Sequence, residues 1–212
     1  MAAIRNLLAN PDNPKSLSSK ARARRWVKFQ EQFPEIDQMR VLDLGGTPGF
    51  WRALSQTPEH VTLVNLVDEP CPEPWMNLVI GDACDPPVHD AFDLVVSNSL
   101  IEHVGGHWRR EQLSEVVHRS ADHHWVQTPY RYFPVEPHWV APMMQFFPIG
   151  LRATISRHWS HGHIHSVDRR QSLRDVLEVE LLSSHEMAYY FPDSFVWHER
   201  FAGLTKSLVA VK

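Results

Sequence analysis

Short, continuous apolar runs alternate along this chain with longer amphipathic pieces, and that alternation restricts the fold to helices layered on a parallel sheet. Residues 41–44, 61–66, 78–80, 92–97 and 124–127 read as strands. Their apolar residues are consecutive rather than every second one, as strands covered on both faces require. Residues 108–118 read as a helix between the fourth and fifth strands. Residues 195–197 and 207–211 read as a closing antiparallel pair joined through Gly203. The expected architecture is α/β and Rossmann-like: a mostly parallel seven-stranded sheet, an antiparallel closing strand, and helices on both faces.

The flanking segments are less regular. Asn10-Pro11-Asp12-Asn13-Pro14 makes residues 1–15 an expected mobile arm. A helix follows, with Ser18 or Ser19 as cap and Trp26, Phe29 and Phe33 on one stripe, limited by Pro34. Residues 16–212 then form a single expected domain. Pro134, Pro137, Pro142 and Pro148 leave room only for short helices over 130–150, within an expected acceptor-side insertion at about 129–170. Ser184 can cap a short helix that ends near Pro192.

The chemistry concentrates where the first strand ends, in Val41-Leu-Asp43-Leu-Gly45-Gly46-Thr47-Pro-Gly49-Phe50-Trp51. A glycine-rich turn between strand and helix lets a ligand approach the backbone and exposes N–H groups to it. Asn65 and Leu66 close the second strand, and a polar group there suits ribose hydroxyls. Asp82 and Ala83 follow the third strand, where a carboxylate can accept from an adenine amino group. Ser97 ends the fourth. All four positions lie at the carboxyl ends of strands, the side on which open α/β sheets bind ligands. Gly45, Gly46 and Gly49 do not fit the spacing G-x-G-x-x-G, which disfavours a pyrophosphate cofactor and a nicotinamide oxidoreductase. A cofactor with adenosine but no phosphates remains.

Asp43 to Gly49, Asn65, Gly81-Asp82-Ala83 and the run from Phe92 through Ser97 to Glu102-His103-Val104 together resemble the class I methyltransferases that use S-adenosylmethionine. The resemblance covers residues 38–128 best. It implies that the first loop, with Gly45, Gly46, Gly49, Phe50 and Trp51, holds the amino-acid part of that cofactor. It places the second-strand position on ribose and Asp82 on adenine. Two positions depart from the family pattern: Thr47 replaces a usual glycine, and Asn65 a usual acid. Leu44-Gly-Gly-Thr47 with Phe50-Trp51, the run Thr128 to His138, and Leu204-Thr-Lys-Ser207 are similar to a bacterial subgroup associated with glycan and small-molecule pathways.

Methyl transfer to a hydroxyl needs a base, and histidine has the suitable pKa. His138 lies in Tyr130-Arg131-Tyr-Phe-Pro-Val-Glu136-Pro-His138, a loop that in this family borders the acceptor. Glu136 or Gln127 can orient its ring, and Tyr130, Arg131 and Glu136 are the expected acceptor contacts. His103 is the second candidate. The Glu102-His103 pair resembles one in quinone-ring enzymes that bind a divalent cation. Ser99 stands where those carry another acid, so no metal is expected. His158, His161, His163 and His165 alternate around Gly162 and read as a lid or solvated loop rather than a metal site.

Other classes are disfavoured. A net charge of −4 is a poor match to nucleic acid, and no N/D-P-P-Y/F loop follows the fourth strand, which reads Ser97-Asn98-Ser99-Leu100. No apolar run is long enough to span a bilayer. Cys71 and Cys84 do not make a disulfide scaffold, and the N-terminus lacks a secretory signal, so the cytoplasm is the expected compartment. The expected activity is O-methylation of a small-molecule or glycan hydroxyl. The alternatives are N-methylation of a small amine and a non-catalytic cofactor-binding module.

Overall fold

A computed structural model describes residues 17–52, 54–159, 161–164 and 166–212. The expected arm at 1–15, His165 and the side chains of Ser18 and Ser19 lie outside the described residues. The chain divides into two compact units. The larger holds Glu35–Tyr130, Glu180–His198 and Ser207–Lys212. The smaller holds, of the described residues, 17–34, Arg131–Val179 and Glu199–Lys206.

Five parallel strands build the larger unit: β1 (Arg40–Leu44), β2 (His60–Asn65), β3 (Met76–Ile80), β4 (Leu94–Asn98) and β5 (His123–Pro129). Val41 pairs with Val61 and Asp43 with Val96, so the acid preceding the glycine turn sits in the middle of the sheet. With β8 (Phe195–Phe201) and β9 (Leu204–Val211) the seven strands run in the order β3-β2-β1-β4-β5-β9-β8, and β9 is antiparallel to β5. The turn between the last two uses Gly203 at φ +83°, a conformation that side chains rarely adopt.

β1, β2 and β4 bury almost every side chain, which is why their sequences are continuous apolar runs. Leu42, Leu44, Val95 and Val126 join Leu113, Val116 and Val117 in one cluster. The last three fall on one stripe of α3 (His107–Ser120), and each fully buried side chain contributes about 1.5–3 kcal/mol. α2 (Pro48–Arg52) starts on a proline, whose missing N–H costs nothing in a first turn. α6 (Ser184–Tyr190) starts one residue after its cap: Ser183 accepts from Glu186 N–H, and the Glu186 carboxylate accepts from Ser183 N–H.

In the smaller unit, α1 (Leu17–Gln32) buries Phe29, with Phe33 just beyond its end, and Trp26 stacks on Phe29 at 4.8 Å. The proline-punctuated segment forms a two-residue antiparallel ladder, β6 (Val135–Glu136) with β7 (Ala141–Pro142), and a 3-10 turn, Met144–Phe146. Val140 and Met143 flank β7 at φ +52° and +55°, unusual for non-glycine residues and especially for a β-branched one. Trp139 and Met144 are fully buried here, whereas Met143, Phe146 and Phe147 are exposed. α4 (Ile149–His158) reaches into the stretch expected to be polar loop, and α5 (Arg169–Leu177) follows, capped by Asp168. A buried polar chain ties them: Ser156 to Ser166 at 2.6 Å, and Ser166 to Asp175 at 2.6 Å. Among the described residues, no helix is long and apolar enough to cross a membrane.

Candidate functional site

The end of β1 is built around one buried acid. Asp43 is 1% exposed. Its Oδ2 accepts the indole N–H of Trp51 at 2.7 Å, and Oδ1 has no partner among the described residues. Trp51 is itself fully buried, so it works beneath the loop rather than on its surface. Phe50 packs edge-on against it with centroids 5.2 Å apart.

The turn above this acid admits only glycine. Gly45 has φ +78°, and its N–H donates to Val64 O at 2.8 Å. A Cβ on Gly46 would lie 1.8 Å from Asp43 Oδ2. The Asn65 amide donates to Gly46 O at 2.8 Å and to Gly45 O at 3.3 Å, while its Oδ1 accepts Val67 N–H. The residue expected to face ribose therefore also pins the loop. Thr47 and Gly49 are exposed at the rim, and Leu66 is 75% exposed.

Asp82 follows β3 with its carboxylate bonded to Arg109, whose Nη2 lies 2.7 Å from Oδ1 and 2.6 Å from Oδ2. Ala83 beside it is buried. Ser97 is fully buried and donates to Leu44 O, which locks β4 to β1 and keeps its hydroxyl off the surface. Glu102 is buried and accepts from Thr128 Oγ1 at 2.9 Å, whereas His103 is exposed. Tyr130 is half-buried, with its ring 6.3 Å from that of His198. Gln127 accepts from Ser99 Oγ.

In the smaller unit Glu136, fully buried between β6 and its turn, places one oxygen 2.6 Å from His138 Nδ1. Its other oxygen accepts Trp139 N–H at 2.9 Å. Glu136 thus orients the ring and offers no surface for a direct acceptor contact. With Nδ1–H given to the carboxylate, the tautomer carries its lone pair on Nε2, as a general base requires. The histidine-rich segment holds this loop from behind. His163 N–H and Ile164 N–H both donate to His138 O, at 2.7 and 3.3 Å, and the Trp159 indole donates to Trp139 O. Gly162 lies so close that a Cβ there would be 2.3 Å from Trp139 Cα. Arg131 is half-buried, and its carbonyl accepts from Gln145.

Spacing gave no sign of two of these partners, Trp51 on Asp43 and Arg109 on Asp82. Trp51 comes from the helix that directly follows its loop, whereas Arg109 comes from the helix after β4, one strand further along the chain.

The setting of Asp43 predicts a pH effect. Burial, only partly offset by the Trp51 bond, raises its pKa from 3.8 to about 7. A raised carboxyl pKa gives stability that is complete below the unfolded value and lost as pH climbs through the folded one. Asp43→Asn keeps an acceptor for Trp51 and carries no charge. Its unfolding free energy relative to wild type should rise by about 2–3 kcal/mol between pH 5 and pH 8. His124, buried and pushed down to about 3 by desolvation and by His118, has the opposite slope but cancels in that difference. Urea titrations at both pH values decide it, and a pH-independent difference would refute the assignment.

No protein-family model matches the chain, and no curated protein matches it significantly. Solved structures do match in fold. An S-adenosylmethionine dependent methyltransferase from Mesorhizobium loti superposes with a TM-score of 0.57 at 16% identity, over 88% of this chain and 95% of that one. A DhpI–SAH complex gives 0.57 at 14%, over 99% and 92%. The N-methyltransferase NodS from Bradyrhizobium japonicum WM9, in complex with S-adenosyl-L-homocysteine, gives 0.55 at 11%, over 99% and 95%. The chain has the Rossmann-like fold of the class I methyltransferases.

Proposed function

We propose that this chain is an S-adenosylmethionine-dependent methyltransferase that O-methylates a hydroxyl of a small molecule or glycan. One observation carries the reading: the half-bonded, buried Asp43 carboxyl beneath a turn where Gly45 and Gly46 admit no side chain. A buried polar atom without a partner is costly, and an N–H-bearing or cationic group lodged in the glycine cradle would satisfy it. The amino-acid end and sulfonium of this cofactor provide such groups, so the residues fit it. The glycine spacing speaks against a pyrophosphate in the same place.

The roles then follow. Gly45, Gly46 and Gly49 give the backbone approach, held in shape by Asn65 from below. Asp82 accepts from the adenine amino group. When bound, the cofactor supplies a methyl group activated by its positive sulfur. His138, oriented by Glu136, takes the proton from the acceptor hydroxyl. Tyr130 and Arg131 contact the acceptor, for which Arg131 offers a planar set of donors to hydroxyl or carboxylate groups. An amine acceptor is the second reading, favoured by the likeness to NodS, an N-methyltransferase.

Calorimetry with S-adenosylmethionine, S-adenosylhomocysteine and NAD tests the site. The first two should bind in the low-micromolar range, about −8 kcal/mol, and NAD should not. Tight NAD binding with no response to the methionine derivatives would sink the reading. Transfer of a labelled methyl group into a metabolite extract separates an enzyme from a binding module.

A further inference from the structure

Asp82 is the exposed end of a short chain of bonds. Its Oδ1 accepts Cys84 N–H at 2.9 Å, and Asp85 N–H donates to its carbonyl, so the residue closes its own tight turn after β3. The first turn of α3 brings in Arg109, whose Nη2 bonds both carboxylate oxygens. That guanidinium is anchored elsewhere as well. Nη1 donates to Gln112 Oε1 at 3.1 Å and Nε reaches Val104 O at 3.4 Å, while the main-chain carbonyl of Arg109 accepts from Cys84 Sγ. Side-chain exposure is 44% for Asp82 and 25% for Arg109.

A carboxylate that exposed would ordinarily turn freely and gain little from one more partner. Here it is held on two sides. Oδ1 takes two donors and Oδ2 one, so the acceptor capacity that is left belongs to Oδ2. Burial pushes the Asp82 pKa up, but the bonds from Arg109 and Cys84 outweigh it and hold it below its usual value, so the group stays an acceptor at neutral pH.

We propose that Arg109 is a positioning residue of the purine subsite, fixing Asp82 as a rigid acceptor that selects a 6-aminopurine over a 6-oxopurine. The proposal rests on the methyltransferase reading. A 6-amino group donates to a fixed carboxylate oxygen. A 6-oxo group would set acceptor against acceptor and leave a charge unpaired. If the carboxylate could turn away, that penalty would shrink, and so would the selectivity.

The experiment measures S-adenosylhomocysteine and S-inosylhomocysteine, its 6-oxo counterpart, by calorimetry on the full chain. Wild type should prefer the amino nucleoside at least about 10-fold, the discrimination of one well-placed polar contact. Arg109→Ala should narrow the preference to less than about threefold, mainly by relieving the penalty on the oxo ligand. Arg109→Lys keeps the charge without the planar fork and should fall between, which protects the test if the alanine variant folds poorly. Arg109→Ala combined with Asp82→Asn should discriminate no worse than Asp82→Asn alone. Equal loss for both nucleosides, or independent effects in the double variant, would overturn the proposal and leave Arg109 a structural residue. Wild type binding neither nucleoside would overturn the methyltransferase reading itself. Wild type binding both equally would overturn this proposal alone.

Discussion

His138→Ala is expected to lose about 10²–10⁴-fold in turnover while cofactor affinity stays near wild type, the signature of a missing general base. The geometry gives reasons beyond residue type. Glu136, without solvent contact, holds Nδ1 at 2.6 Å and is itself held by Trp139 N–H. His138 O takes two main-chain N–H groups, and Pro137 precedes it. A base must come within roughly 2.6–3.2 Å of the proton it removes, and a ring held at Nδ1 on a pinned main chain loses little entropy in doing so. Turnover and cofactor affinity for His138→Ala and His103→Ala, measured once an acceptor is found, give the answer. If His138→Ala keeps more than about a third of the rate, the assignment fails, because a base is worth far more. Loss with His103→Ala and survival with His138→Ala would move the role to His103.

Gly46→Ala is expected to lower cofactor affinity at least about 100-fold, some 2.7 kcal/mol, while the far-ultraviolet circular dichroism persists. The added methyl would lie 1.8 Å from Asp43 Oδ2, where real contacts stay beyond 3.0 Å, so the turn or the acid must move by more than an ångström. The acid has nowhere to go: Trp51 grips it, and β1 is buried on both faces. The turn must therefore rise, against the two Asn65 bonds that tie it down. Gly45→Val should act in the same direction through its positive φ and the Leu100 side chain, 2.8 Å from its Cβ position. A Gly46→Ala variant that binds S-adenosylhomocysteine normally would reduce the glycine turn to chain punctuation.

The sheet was legible because its signal is strong and local. β1, β2 and β4 are buried on both faces, and consecutive apolar residues are the direct imprint of that burial. Their ends moved by a residue or two: β4 starts at Leu94 rather than at 92, and β3 starts earlier, at Met76. α5 was not legible. Its sequence, RRQSLRDVL, buries Ser172, Asp175 and Val176, so two of its three buried positions are polar and residue type does not mark the buried stripe as core. The β6–β7 ladder is two residues long, below any periodicity. Within the site, residue type singled out Asp43, the glycines, Asp82 and His138, with Glu136 as one of two candidate partners for that ring, but not the partners of Asp43 and Asp82. Trp51 and Asn65 read as ligand contacts, and the structure adds that Trp51 holds Asp43 and Asn65 holds the turn. Glu136 reads both as an acceptor contact and as a group able to orient His138, and its carboxylate bonds that ring. Such bonds depend on rotamers, which spacing does not encode.

The way His163 and Ile164 grip His138 sets a rule for how this surface can diverge. The grip uses peptide N–H groups, with Gly162 pressed against Trp139. The holding atoms are common to every residue type but proline, so the letters at 163 and 164 can drift among the others while the clasp persists. Its length cannot. Deleting a single residue would slide a side chain into the place reserved for glycine and shift both N–H groups off their carbonyl. Among descendants of this chain, variety at the clasp should accumulate as substitutions and hardly ever as gaps.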